Sequence, residues 1–196
     1  MIIHLAKERR SPALRQRRRL LAVLNEAQRL IGLNRFAGVL QVNLVGADTM
    51  AAMNEASLGH HGPTDVLTFD LRATEQTCPD DHQPADAAKH LAATPGLTDK
   101  TGETDDGDRD DDDDDTAGEP EVAAEIYVCP DVAGTAGPAY GNTPSREMVL
   151  YAVHGMLHLA NYDDLEPAAQ KRMRAAEHRV MSALQVQFPL DDFLPS

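Results

Sequence analysis

The sequence predicts a chain of mixed α and β structure, and three observations carry that reading. Short apolar or alternating runs read as strands, and longer stretches with apolar residues at 3–4 spacing read as helices. The two kinds of segment interleave along the chain, and its 196 residues suit one domain of ordinary size.

Taken in order, "IIHL" (Ile2–Leu5) is a short strand candidate. From Pro12 to Leu33 the pattern is helical, with Leu20, Leu21, Leu24, Ala27, Gln28 and Ile31 at 3–4 spacing and Gly32 near the end. Arg15, Arg17, Arg18 and Arg19 cluster at its start, where positive charge opposes the helix dipole. The cluster is either a solvated helix face or a phosphate-contact patch. "VLQVNLVG" (Val39–Gly46) alternates like a half-buried strand, and "DTMAAMNEASL" follows as a short helix with Asp48 as its expected N-cap. "PTDVLTFDL" supplies a turn and a strand, Val66–Leu71, and "AEIYVC" (Ala124–Cys129) is a further strand ending at Pro130. A helix is expected from Thr143 to about Ala160, with Pro144 at its first position and Asn161 as a left-handed C-cap. A last helix covers roughly Pro167 to Val186.

The formal charge of −14 is local. Residues 73–121 hold 17 acidic and 3 basic side chains, so the rest of the chain is neutral. The segment contains "TGETDDGDRDDDDDDTAGEPE", which offers almost nothing to bury, and it is expected to be a disordered insertion in one domain spanning 1–196. With it set aside, the low pI no longer argues against a nucleic-acid partner. Two cysteines, Cys78 and Cys129, exclude a disulfide framework and a cysteine-based zinc site. No apolar run approaches the roughly 20 residues that cross a bilayer, and the start lacks the apolar core of a secretory signal. A cytoplasmic protein with no membrane partner is expected.

The chemistry is concentrated in "VHGMLHLANYDD". His154 and His158 stand at i and i+4 of the expected helix, on one face and about 6 Å apart along the axis. Two imidazoles so placed can offer nitrogens to one metal ion. A third ligand would come from beyond the helix end, and Asp164 is the first candidate. Two histidines and one carboxylate suit zinc with one position left open. His178 and Glu177, on the following helix, are alternatives. Gly155 directly after the first histidine removes the general-base glutamate of H-E-x-x-H proteases, which argues against proteolysis.

"HGMLHLANYDD" resembles the signature of the YbeY family, bacterial single-strand endoribonucleases of ribosomal RNA maturation, in which the stretch reads H-G-x-L-H-L-x-G-Y-D-H. His154, Gly155, Leu157, His158, Leu159, Tyr162 and Asp163 match. "MNEASLGHHGPTDVLTF" is similar to the family's L-N-x-x-x-R-x-x-x-x-x-T-[DN]-V-L-S-F, matching at Asn54, Thr64, Asp65, Val66, Leu67 and Phe69. "AEIYVCPDVA" looks like the family's G-D-I-x-I-x-P-x-x-A. The resemblance implies an α+β fold, with helices packed around a small mixed β-sheet and the metal site on one helix and the turn after it. It also implies one zinc ion per chain, bound by His154, His158 and Asp164, and hydrolysis of single-stranded RNA in maturation and quality control of the small ribosomal subunit. Thr64 and Asp65 are candidates for the substrate rim, with a purely structural turn role as the alternative.

Two departures stand out. The family's third histidine is Asp164 here, which keeps an oxygen donor for zinc. Leu58 occupies the position of an arginine implicated in the family's RNA function, and a leucine cannot hold a phosphate. His60, His61 or an N-terminal arginine are possible substitutes. These departures motivate a second reading: a ribosome-assembly binding protein with a structural metal and weak or lost catalysis. A metal-dependent hydrolase of another substrate, such as a peptide, is a third.

Overall fold

The apolar alternation of the strand segments decides how the sheet is buried. In a computed structural model, which describes residues 1–72 and 121–195, β1 (Ile2–Lys7), β2 (Val39–Leu44), β3 (Val66–Asp70) and β4 (Val122–Val128) form one sheet in the order β1-β2-β4-β3. β1 runs parallel to β2, and β2 parallel to β4, with a register shift at Val39/Leu40. β3 is antiparallel to β4. The sheet is mixed, as expected. Ile3, Leu5, Leu40, Val42, Leu44, Ala124, Ile126 and Val128 share one face and meet helices α1 (Arg17–Ile31), α4 (Pro144–Leu159) and α5 (Pro167–Gln187) in the main core. The other face buries Leu67, with Val45, Met50 and Cys129, beside α2 (Ala47–Leu58) and α3 (Pro130–Ala136).

Two local expectations are corrected, and one helix is added. Helix α1 starts at Arg17, not Pro12, because Gln16 takes a left-handed conformation (φ 50°) and the Arg15 N–H donates to the Phe193 carbonyl. The N-cap of α2 is Gly46 rather than Asp48; its first amides are received by the carboxylates of Glu8 (Gly46 N–H, 3.0 Å) and Asp131 (Ala47 N–H, 3.0 Å). Helix α3 was not expected, although Pro130 at its first position is a start signal. The acidic stretch 73–121 lies almost wholly outside the described residues. Among those described, no helix is long and apolar enough to cross a membrane.

Helix α4 positions the site. Thr143 caps it, its hydroxyl accepting the Arg146 N–H at 3.2 Å, and Pro144 fills the first position without losing a needed donor. The helix is buried on most of its circumference, against α1, α3, α5 and the sheet. Gly155 permits that: a Cβ there would lie 2.8 Å from Thr68 Oγ1 and 3.0 Å from Ile126 Cγ2. The glycine beside the first histidine is therefore a packing requirement of the α4–sheet contact. His154 and His158 occupy the strip of α4 left half-open.

Candidate metal centre

Helix α4 ends at Leu159, and Asn161 turns the chain back with φ 64°. An asparagine tolerates this left-handed conformation better than most residues. The Asp163 carboxylate then accepts the N–H groups of Asp164 (2.7 Å) and Leu165 (3.1 Å), which fixes the turn. Asp163 is thus a turn residue, and its neighbour is carried back to the histidines.

The structure brings His154, His158 and Asp164 together, with one donor atom from each lying within 4.8 Å of the others. His154 Nε2 and His158 Nε2 are 3.0 Å apart. Asp164 Oδ2 lies 3.7 Å from His154 Nε2, and Oδ1 lies 3.9 Å from His158 Nε2. Ligands at about 2.0–2.1 Å around a tetrahedral zinc are separated by about 3.3 Å, so the three distances bracket that spacing. The residues present fit a small divalent cation.

The far sides of both rings decide which nitrogens are available. His154 Nδ1 meets Glu177 Oε1 at 2.6 Å, and His158 Nδ1 meets the Tyr162 carbonyl oxygen at 3.1 Å. A carbonyl only accepts, and a carboxylate is the acceptor of choice for an imidazole N–H, so both rings carry the proton on Nδ1. In the neutral rings both Nε2 lone pairs then face each other and Asp164. This is the arrangement in which outer partners orient imidazoles toward a metal. Burial disfavours a charged His154, but the Glu177 hydrogen bond, with the carboxylates of Asp164 and Asp65, outweighs it and raises the imidazole pKa above its ordinary value. The local field favours positive charge.

Two clefts adjoin the pair. The larger, about 580 Å³, reaches from His154 and Asp164 toward α5, where Gln170, Arg174 and Glu177 line it, and toward Tyr140 at the end of a 3-10 turn. The smaller, about 420 Å³, includes His154, His158, Leu58 and the β3 residues Val66–Asp70. Asp65 lines both. One of its carboxylate oxygens accepts the Thr64 hydroxyl (2.8 Å) and the Val66 N–H (2.9 Å). Thr64 therefore supports Asp65 and lines neither cleft.

Other sequence candidates lie elsewhere. His178 is exposed and lines neither cleft beside the histidine pair; it lines an adjoining hollow with Arg146 and Ser182 that shares Arg174 and Glu177 with the larger cleft. Glu177 stands behind His154 instead of beside its Nε2. His60 and His61 line neither cleft; His61 lies 3.4 Å from Glu55. None of the N-terminal arginines lines them either. Sequence reasoning passed over Tyr140 and Arg174, and it named Glu177 only as an alternative ligand; the signal that could have pointed to its place behind His154 is an acid four positions after buried Met173, on the core-facing stripe of α5.

Known proteins resemble this chain over most of its length. The sequence pattern of the family described as "Endoribonuclease YbeY" matches residues 3–185. The protein named endoribonuclease YbeY from Salinispora tropica is 31% identical over 163 residues, 83% of this chain and 84% of the relative. The protein of the same name from a Nocardioides species is 28% identical over 180 residues, covering 83% and 96%. The solution structure of a Thermotoga maritima protein superposes with a TM-score of 0.53 at 20% identity, covering 95% of this chain and 91% of that one. That likeness concerns the fold. With the histidine pair, the returning carboxylate and a family match from β1 to α5, the chain belongs to the YbeY endoribonucleases, a family of hydrolases.

Proposed function

We propose that this protein cleaves single-stranded RNA at a zinc site formed by His154, His158 and Asp164, one ion per chain, and that its substrate is ribosomal RNA of the small subunit during maturation and quality control in the cytoplasm. One observation carries the metal part: two imidazoles with both Nδ1 positions engaged, their Nε2 atoms 3.0 Å apart beside a carboxylate. Two lone pairs so close repel unless a proton or a metal cation lies between them, and a metal cation would also take Asp164 as its third donor.

When bound, zinc supplies Lewis acidity for phosphodiester hydrolysis, making a nucleophilic water more acidic and offsetting charge on the phosphoryl oxygens. The chain's own residues do the positioning. Glu177 and the Tyr162 carbonyl hold the two rings in one tautomer and one orientation. Asp163 holds the turn that delivers Asp164. Asp65, braced by Thr64, stands where the two clefts meet, at the rim a strand would cross to reach the site. Asp164 in place of a neutral imidazole offsets more of the ion's charge and makes the centre a weaker acid.

The test is cleavage of ribosomal RNA fragments by protein purified free of contaminating nuclease, beside His154→Ala. Cleavage by the wild type, lost in the variant and on chelation, is expected. Fragments left intact, or cut equally by both proteins, would refute the proposal. A second reading, ribosome-assembly binding with weak or lost catalysis, is favoured by Leu58: it is 57% exposed in the smaller cleft, which has no arginine or lysine among its described lining residues. Rescue of a depleted strain by folded, metal-free His154→Ala would select it.

A further inference from the structure

The larger cleft joins the metal centre to residues that the proposed hydrolysis has not used. Along α5, Gln170, Arg174 and Glu177 follow one another at four and three residues, so they share a face. Glu177 touches His154. Arg174 therefore sits one turn along the helix, about 4.5 Å by the helical rise. It makes no hydrogen bond or ion pair among the described residues, and it is the one arginine or lysine among the described residues lining either metal-site cleft. The remaining charged groups of the larger cleft are carboxylates: Asp65, Glu147, Asp164 and Glu177. A polyanionic strand meets repulsion from these everywhere except at the metal and at Arg174.

Tyr140 lines the same cleft. The sequence has only four tyrosines and four phenylalanines, yet this one is 77% exposed. Its backbone is held: it ends the Gly137–Tyr140 turn, after which the N–H groups of Gly141 (3.2 Å) and Asn142 (2.9 Å) donate to the Pro138 and Gly137 carbonyls. A ring kept at a cleft rim on a fixed turn is what a stacking platform for an unpaired base requires. Aromatic stacking beside a phosphate-binding cation is the general way proteins hold single-stranded nucleic acid.

We propose that the α5-side cleft is a nucleotide subsite of the RNA groove, in which Tyr140 stacks one base and Arg174 binds the phosphate next to the one being cleaved. The inference rests on the reading of the protein as an RNA hydrolase. It makes Arg174 and Tyr140 substrate-binding residues and explains how the site can hold a strand with Leu58 in the other cleft. The smaller cleft, which Leu58, Val66, Leu67 and Phe69 line with Asp65 and Asp70, has no arginine or lysine among its described lining residues, and the nearby Arg72 is held by Asp70 and the Leu159 carbonyl.

The experiment is steady-state cleavage of a fluorescently labelled single-stranded RNA of about twelve nucleotides, a length within the usual span of such grooves, by full-length, zinc-loaded protein. Arg174→Ala, Arg174→Lys, Tyr140→Ala and Tyr140→Phe are compared, with zinc content and melting checked for each. Tyr140→Ala is expected to raise KM about tenfold with kcat little changed, and Tyr140→Phe to restore it, because stacking needs the ring alone. Arg174→Ala should raise KM similarly and reduce the slope of log(kcat/KM) against log[salt] by about 0.7, one phosphate contact on a single strand. Arg174→Lys should recover the salt slope. If the wild type cleaves and the alanine variants keep its KM and salt slope, or lose only kcat, the subsite is wrong and the hydrolase reading stands. If zinc-loaded wild type does not cleave or bind the RNA, the hydrolase reading falls and the subsite falls with it.

Discussion

Removing the Glu177 carboxylate should weaken the metal centre without touching a ligand. Its Oε1 lies 2.6 Å from His154 Nδ1, and the two side chains are only 18% and 22% exposed. Glu177→Ala leaves that N–H without its acceptor in a poorly solvated place, a cost of about 1–3 kcal/mol for an unsatisfied group. It also frees the ring to rotate or to move its proton to Nε2, the atom that faces His158 and Asp164. Losses of about 10–100-fold in metal affinity are usual when such an outer partner is removed, or roughly 1.4–2.8 kcal/mol. Glu177→Gln keeps an oxygen acceptor but not the charge, so its loss should stay below about tenfold. Competition with a chromophoric zinc chelator at neutral pH measures both variants, and circular dichroism confirms that they fold. An alanine variant binding zinc as tightly as the wild type would refute the claim that Glu177 orients His154.

Three further outcomes follow from the fold. Gly155→Ala should destabilise the protein by up to about 2 kcal/mol in chemical denaturation, because overpacking against Thr68 and fully buried Ile126 costs about 1–3 kcal/mol against a gain of about 1 kcal/mol in helix propensity; greater stability than the wild type would contradict the close contact. The Arg29 hydrogen bond, with that of Gln187, lowers the Glu26 pKa from 4.5 to about 2. Its stabilising contribution is therefore complete above about pH 4.5 and is lost as pH falls toward 2, so the melting-temperature gap between wild type and Glu26→Gln should close over that window; a gap that persists at the acid end would refute the link. We propose that 1–196 is one domain carrying an insertion, since on either side of 73–120 Asp70 pairs with Ala124 and the Leu71 N–H donates to the Ala123 carbonyl at 3.0 Å, as adjacent strands of a hairpin do. Replacing 73–120 by a short turn should leave the far-ultraviolet spectrum and the zinc content unchanged, and a molten or aggregated product would show that the segment supports the core.

Much of this fold was legible because its elements obey local rules. The strand runs of β2 and β4, the 3–4 spacing of α1, Pro144 at the start of α4 and Asn161 in the turn each state their structure over a few residues, although β2, expected to be half-buried, is buried at five of its six positions. What was missed depends on distant partners. Pro12 to Arg15 has a helix-compatible sequence, yet Phe193, far along the chain, takes the Arg15 N–H. Asp48 has the chemistry of a cap, but Glu8 and Asp131 reach the start of α2 first. The site divides in the same way. His154, His158 and Asp164 lie within eleven residues, so helix geometry and one turn bring them together. Glu177 was named as an alternative ligand and not as the partner behind His154, and Arg174 and Tyr140 reach the cleft only because α5 folds back along α4 and the 3-10 turn precedes α4, a meeting that no local periodicity records.

The most direct test of the account is the metal content of wild-type protein beside Asp164→Ala, by elemental mass spectrometry after equal exposure to zinc. About one zinc per chain in the wild type, depleted in the variant, is the predicted result, since Asp164 supplies the only carboxylate within 4.8 Å of both Nε2 atoms among the described residues. Zinc retained in full by Asp164→Ala would contradict the proposed ligand set, and no zinc in either protein would contradict the metal centre itself.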